Sequence, residues 1–302
     1  MYNHKAQNTL LELFSKYSDI SPHPVDEALV DYFGCVTPIA CIPHLQSWAG
    51  RVIKHPPLPD DSFRATAIEY QSIIESIEDC GTDNFVFLEL GASYAPFCVV
   101  AAQLAKRKKS IKRVHLRAVE AAKNGIKVIE SNFKANHLHD RIDVDYKILN
   151  AALGSRIGTV FFPDVDCTVD NGAGVSADGR VDIRGVAIGL MSVDLIPLDY
   201  VIDSLQIEKV HIDLAHFDLQ GSEGDVLTSS LGLLNKYCKR VLIGTHSRSL
   251  EGYLFELFDK NGWILLGEEP CQFEPMENRS ICGMTTKDGN LYFLNKRYAA
   301  RP

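Results

Sequence analysis

The string HFDLQGSE, His216 to Glu223, follows directly on an apolar run, and GTHS, Gly244 to Ser247, closes a second one. His216 and Asp218 are two residues apart, so on a regular strand they share a face. Glu223 opens the amphipathic segment that follows, and His246 comes from the tip of the next run. If the two runs are neighbouring parallel strands, two imidazoles and two carboxylates meet above one end of a sheet. That group suits proton abstraction, because histidine titrates near neutral pH and a carboxylate can orient it. His216 or His246 is then the base, with Asp218 orienting it or meeting a cationic ligand. The same four residues, His216, Asp218, Glu223 and His246, also form the set expected for a divalent ion. Each histidine has a structural alternative, His216 as a core ring satisfied by backbone and His246 as part of a helix cap with Ser247. Asp218 is harder to explain structurally, since a carboxylate buried after so apolar a strand needs a ligand, a donor or a metal. His137 and His139, in ANHLHDR, fall in a polar loop and read as solvated.

The elements that must position these residues are short apolar runs alternating with amphipathic segments of helical length. FVFLEL, VHLRAVE, VDYKILN, KVHIDLAHF, RVLIGTH and WILLGEE read as strands of a parallel sheet covered on both faces. The final run, GNLYFLNKR, follows WILLGEE through a loop with no convincing helix, so it should be antiparallel. In such a sheet the ligand lies beyond the strand ends near the switch point. The ends are Glu89 to Tyr94, Glu120 with Ala121, Asn150 with Ala151, and the His216 string. The expected ligand-binding residues are therefore Glu89, Gly91, Ala92, Ser93, Tyr94, Glu120, Ala121, Asn150, Ala151 and Asp218. A diphosphate needs the closely approaching amides of a G-x-G-x-x-G turn. GASYAP keeps only Gly91, and Pro96 removes a donor at the helix start. Carboxylates at the first two strand ends suit a cationic ligand with a ribose, and a reversed last strand is a regular feature of the S-adenosylmethionine-dependent methyltransferase fold. A nicotinamide-dependent dehydrogenase is the weaker alternative.

The chain has 302 residues and a formal net charge of -8, which gives no pull toward nucleic-acid phosphates. The one basic run, Lys106 to Lys109, stands where a helix should end and where cations are favoured. No stretch of about 18 apolar residues occurs, and the start of the chain shows no signal-peptide core. The eight cysteines are scattered without a C-x-x-C pair. The expectation is a cytoplasmic protein without nucleic-acid or membrane partners; the oligomeric state is not readable. Residues 1–80 should form a helical, proline-rich extension capping an acceptor site, and residues 81–302 the main domain. The stretch PDVDCTVDNGAGVSADGR, 163 to 180, should act as a lid with that extension.

Together, FVFLELGASYAPFCVVAAQLAKR, AVEAAKNGIKVIESNFKANHL, ILNAALGSRIGTVFFP, VHIDLAHFDLQGSEGDVL, VLIGTHSRSLEGYLFELFDKNGWILL and DGNLYFLNKR resemble the FkbM-type methyltransferase family, in the branch whose first motif reads ELGAGWGPW. Ser93 and Ala95 replace glycines of that motif, and Phe97 its tryptophan. The resemblance implies a Rossmann-like class I methyltransferase fold: a mostly parallel seven-stranded sheet, an antiparallel last strand, and helices on both faces. It implies S-adenosylmethionine as methyl donor and a hydroxyl on a small molecule, a sugar or secondary metabolite, as acceptor. A metal is the less favoured addition, and a binding protein that keeps the fold without the chemistry is the main alternative.

Overall fold

The computed structural model describes residues 4–169, 172–175, 189–277 and 284–299. The N-terminal part runs through α1 (His4–Ser15), β1 (Ala28–Val30), β2 (Val36–Pro38) and α2 (Ala67–Glu78). The first half of the main sheet follows as β3 (Asn84–Leu90), α3 (Pro96–Ala105), β4 (Arg113–Glu120), α4 (Gly125–Ala135) and β5 (Val144–Asn150). A small insertion comprises β6 (Ala152–Leu153), β7 (Gly158–Pro163) and β8 (Leu190–Ile196), and α5 (Leu198–Asp203) leads out of it. The second half is β9 (Ile212–Phe217), α6 (Glu223–Tyr237), β10 (Cys238–Thr245), α7 (Arg248–Lys260) and β11 (Trp263–Glu269). The short pair β12 (Gln272–Phe273) and β13 (Thr285–Lys287) precedes the last strand, β14 (Gly289–Asn295).

The central sheet has seven strands in the order β11-β14-β10-β9-β3-β4-β5. β3, β4, β5, β9 and β10 pair in parallel, and β14 runs antiparallel between β10 and β11. This is the Rossmann-like class I methyltransferase fold, with the reversed strand that the loop before GNLYFLN predicts. The near-continuous burial of β3, β9 and β10 explains their apolar runs, since helices cover both faces. α2, α3 and α4 enclose one face, where Ile73, Phe87, Val99, Phe133 and Tyr292 pack together. α5, α6 and α7 enclose the other, around Leu88, Phe217, Val241 and Phe258. Among the described residues no helix is long and apolar enough to cross a membrane.

Two parts differ from the pattern the sequence suggests. The N-terminal part is not purely helical, because β1 and β2 form an antiparallel ribbon. It also shares the main core, with Leu10, Phe14 and Phe33 packed beside α2 and α3. The basic run ties these pieces together instead of merely ending a helix. Lys108 Nζ donates to the carbonyls of Ile77, Glu78 and Cys80, capping the end of α2 at 2.6–2.9 Å, and Arg107 donates to the carbonyls of Tyr17 and Phe33. The second difference is the separate sheet β6-β8-β7 beside the end of β5.

At the switch point, where the chain order reverses between β3 and β9, Asp218 N–H donates to Leu90 O at 2.8 Å. The carbonyl of Asp218 then lies so near Gly91 that a Cβ there would sit 1.8 Å from it. Gly91 has φ +84°, while Ser93 and Ala95, in the positions where the resembled motif has glycine, sit at φ 50° and 52°. A side chain in this left-handed region costs roughly 1–2 kcal/mol. Gly91→Ala should therefore destabilise the protein by about 3 kcal/mol or more. Ala95→Gly should stabilise it by up to about 1 kcal/mol. Urea unfolding of both variants checks the contrast.

Candidate active site

A cavity of about 380 Å³ opens above the C-terminal ends of the parallel strands. Gly91 to Tyr94 form its floor at the end of β3, with Glu120, Ala121 and Ala122 beyond β4 and Ala151 to Leu153 beyond β5. His216, Asp218, Leu219 and Gln220 enter from β9, and Asp288 from the turn before β14. The N-terminal part contributes Cys41, Ile42, His44, Phe63, Arg64 and Glu69. From the stretch 163 to 180, Cys167 to Val169, Gly172, Ala173 and Val175 line the cavity; residues 170, 171 and 176 to 180 lie outside the described residues.

The backbone amides of the GASYAP turn and the start of α3 are already engaged within the chain: those of Gly91 and Ala92 by the carbonyl of Val119, that of Ala95 by the carbonyl of Ala92, and those of Ser93, Phe97 and Cys98 by carboxylates. Glu89 accepts from Phe97 N–H at 3.2 Å and Cys98 N–H at 2.6 Å, so it caps the N-terminus of α3. Burial pushes its carboxyl up to about 7, against the pull of those amides. Glu120 accepts from Ser93 N–H at 2.6 Å with one oxygen and from Ala122 N–H at 2.7 Å with the other. Burial raises its carboxyl too. With the amide of Ala121 as a further donor, one acceptor position of the carboxylate is left for a hydroxyl. Among the described residues Ser93 Oγ, buried in the same turn, has no hydrogen-bond partner. Asn150 does not line the cavity: its amide donates to the carbonyls of Glu120 and Ala122 and pins the end of β4.

Of the four residues in the two histidine strings, the cavity wall contains His216 and Asp218. His216 is 4% exposed and packs edge-on against Phe97 with ring centroids 5.0 Å apart. Among the described residues its ring nitrogens have no hydrogen-bond partner, and burial pushes its pKa down to about 4, so it is neutral at neutral pH.

His246 stands behind Asp218. Its Nε2 is 3.2 Å from Asp218 Oδ1, and its Nδ1 is 3.1 Å from Glu223 Oε1, an ion contact too oblique for an aligned hydrogen bond. Asp288 adds a more distant charge at 3.9 Å. Burial opposes protonation of this ring, but the two close carboxylates outweigh it and hold His246 well above the ordinary histidine range. Burial likewise disfavours the Asp218 carboxylate, and His246 outweighs that, keeping Asp218 ionised and below its usual range. Glu223 is fully buried and also receives the amides of Leu219 and Gly221 at 2.7 and 2.9 Å. The cap of α7 comes from Ser247, whose Oγ accepts from Leu250 N–H at 3.2 Å. Asp218, Glu223 and His246 lie close enough to share an ion, and His216 is not part of that group. Their ligand atoms are turned toward one another and toward backbone amides, as a clamp of two acids about one imidazolium. The loop pair His137 and His139 is 81% and 40% exposed and faces Asp140.

Among the cavity residues that escape sequence reasoning are Arg64 and Glu69. Arg64 donates to Asp31, to Tyr70 Oη at 2.9 Å and to Thr37 Oγ1 at 3.1 Å, with Asp61 at 3.4 Å. Glu69 accepts from Thr66 N–H at 2.6 Å in a capping box, and burial pushes its carboxyl up to about 8. The T-x-x-E spacing signals the box but not its place in the cavity wall.

No family model matches the chain. It is 26% identical over 215 residues, 71% of this chain and 74% of the relative, to a protein of Jannaschia sp. (strain CCS1) described as "Putative methyltransferase". Similar solved structures include a precorrin-6Y C5,15-methyltransferase from Geobacter metallireducens GS-15 (10% identity, 77% of this chain and 90% of that one, TM-score 0.41). Another, described as "a putative O-methyltransferase", comes from Klebsiella pneumoniae (9% identity, 77% and 82% coverage, TM-score 0.41).

Replacing His246 would leave two carboxylates facing each other without their cation, so His246→Gln should cost about 3–5 kcal/mol near neutral pH. Because the folded-state pKa is raised, the stabilisation from this imidazolium is fully present below the ordinary value of 6.5 and is lost as the pH rises through the folded-state value. Urea unfolding of both proteins from about pH 6 to about 9.5 should show the gap narrowing toward the alkaline end.

Proposed function

We propose that the protein is an S-adenosylmethionine-dependent methyltransferase of the FkbM type, which transfers a methyl group to a hydroxyl of a small molecule. The observation that carries this reading is how the turn after β3 uses its amides. The helix N-terminus that would cradle a diphosphate is filled by Glu89, and the amide of Ser93 is taken by Glu120. An incoming diphosphate would meet two buried carboxylates where it needs donors. A cationic ligand meets the opposite situation. Glu69, Glu89, Glu120, Asp218 and Asp288 line the cavity, while the charge of Arg64 is already met by Asp31 and Asp61. The similarity to the Jannaschia protein described as a methyltransferase supports the same reading.

S-adenosylmethionine supplies an electrophilic methyl group on a positively charged sulfur. The residues present fit it. Glu120 offers its remaining acceptor position to a ribose hydroxyl. Ser93 Oγ, buried without a partner among the described residues, offers a further polar contact, and Asp218 presents a fixed negative charge beside the turn. Gly91 lets β3 and β9 meet closely enough to place these groups around one ligand.

His216 is the base in this reading. It is neutral, lines the cavity, and its ring nitrogens are not committed elsewhere among the described residues. It would take the proton of the acceptor hydroxyl as the oxygen becomes nucleophilic. His246, already charged, does not accept that proton; it fixes Asp218. The N-terminal residues that line the cavity would close over the acceptor and exclude water.

Titration calorimetry with S-adenosylmethionine, S-adenosylhomocysteine and NAD tests the proposal. The first two should bind and NAD should not; silence from both sulfur compounds, or binding of NAD, overturns it. Once an acceptor is in hand, His216→Asn should lower kcat by roughly 10²–10⁴-fold, the range for general-base loss. Its affinity for S-adenosylhomocysteine should stay within about threefold of the parent's, a gap of about 0.7 kcal/mol.

A further inference from the structure

A histidine base is commonly oriented by a carboxylate or carbonyl at the nitrogen that does not react. His216 has no such partner: it lines the cavity, and among the described residues neither ring nitrogen is hydrogen-bonded. Asp218, two residues on, is committed elsewhere. β9 ends at Phe217, so the alternation of the strand stops there, and Asp218 Oδ1 faces His246 Nε2 at 3.2 Å and accepts from Gln220 Nε2 at 2.9 Å. Beside His216 in the sheet stand Glu89 on β3 and Leu242 on β10. Glu89 gives its oxygens to the amides of Phe97 and Cys98, and Leu242 has nothing polar to offer. What meets the imidazole is the ring of Phe97, with centroids 5.0 Å apart and planes at 80°, an arrangement aromatic pairs favour. Phe97 is itself held. Its amide donates to Glu89 Oε1 at 3.2 Å, and its ring meets that of Tyr70 edge-on at 6.3 Å. Tyr70 Oη donates to Asp61 Oδ2 at 2.6 Å and accepts from Arg64 Nε at 2.9 Å, and the Tyr70 ring lies 5.2 Å from that of Phe33. A row of rings therefore runs from the N-terminal part through α2 and the start of α3 to β9, is anchored at Tyr70 by charged groups, and ends at the imidazole.

Resting on the reading of His216 as the base, we propose that Phe97 is its positioning residue: the Phe97 ring, backed by Tyr70, holds the imidazole in one orientation toward the acceptor hydroxyl, in the place an orienting carboxylate takes in other sites. The two histidines of the site show the difference between the devices. His246, set between Asp218 and Glu223, is held by charge and kept protonated. A carboxylate against His216 would act the same way and fill the ring with the proton it has to receive. An aromatic ring limits rotation without adding charge, and it leaves both nitrogens free for the acceptor. Orientation matters here, because a reacting group misplaced by about 1 Å can lose roughly 10²-fold in rate. The N-terminal part thereby acts on the chemistry without touching the reacting atoms, since Tyr70 and its partners Asp61 and Arg64 support the ring that sets the base.

The parent, Phe97→Leu and Phe97→Tyr are crystallised with S-adenosylhomocysteine, and the same proteins are labelled at histidine for NMR relaxation, with His216→Asn to assign the ring signals. In the parent and in Phe97→Tyr the His216 ring should take one orientation and relax as rigidly as the backbone around it. In Phe97→Leu it should turn away or take two orientations, and its ring signals should report added motion. If Phe97→Leu does not fold, Phe97→Met, which keeps the volume but has no ring, takes its place. In turnover, Phe97→Leu should lower kcat roughly tenfold or more with KM within about threefold, and should cost nothing further when combined with His216→Asn. A ring that keeps the parent's single orientation and rigidity in Phe97→Leu, or one displaced as far in Phe97→Tyr, overturns the inference. Calorimetry with S-adenosylhomocysteine separates the two readings: binding by the parent together with an unchanged ring in Phe97→Leu removes only the role of Phe97, whereas no binding by the parent removes the methyl-transfer reading and the base along with it.

Discussion

The close approach of two strand ends at the switch point is the constraint on which the site depends. The amide of Asp218 is bonded to the last carbonyl of β3, and its own carbonyl occupies the space a side chain at residue 91 would need. That single contact sets where Asp218 can point, how the turn after β3 must bend, and how the left-handed residues Ser93 and Ala95 are used. The turn then brings its amides to Glu89 and Glu120. The backbone that might have served an anion is consumed by the protein's own acids, and the cavity becomes electronegative as a consequence of how the strands meet.

Charge in this region is layered. Beneath the wall, His246 binds Asp218 and Glu223 together, and Glu223 in turn gathers the amides of Leu219 and Gly221. One buried cation thus fixes a loop, a helix start and a carboxylate. At the outer edge, Arg64 does the same for β1, β2 and α2 through Asp31, Thr37 and Tyr70. Both cations are spent inside the structure.

The main sheet is legible in the sequence because its inner strands are buried on both faces and so read as unbroken apolar runs, and because the missing helix before GNLYFLN forces a reversed strand. The strand-end rule also finds Glu89, Gly91, Glu120, His216 and Asp218. The partners of those residues are not legible. Glu89 and Glu120 both look like ligand carboxylates from spacing alone, yet each first satisfies backbone amides. The meeting of His246 with Asp218 and Glu223 is expected from the strand ends, but not that the ring lies behind the wall, apart from His216. Arg64 and Glu69 reach the cavity through contacts distant in sequence. The strands β7 and β8 are hidden for a different reason: they are half exposed, their burial follows no clean alternation, and their partners are separated by a long insertion.

Lys108 holds the last carbonyls of α2 and Arg107 those of the first fifty residues, both from the end of α3. The N-terminal part that lines the cavity is thus clasped by the portion that builds its floor. Chimaeras that graft a foreign N-terminal part onto this sheet would have to carry matching carbonyls for those two cations, so the cavity is easier to reshape by changing side chains within the existing part than by exchanging it whole.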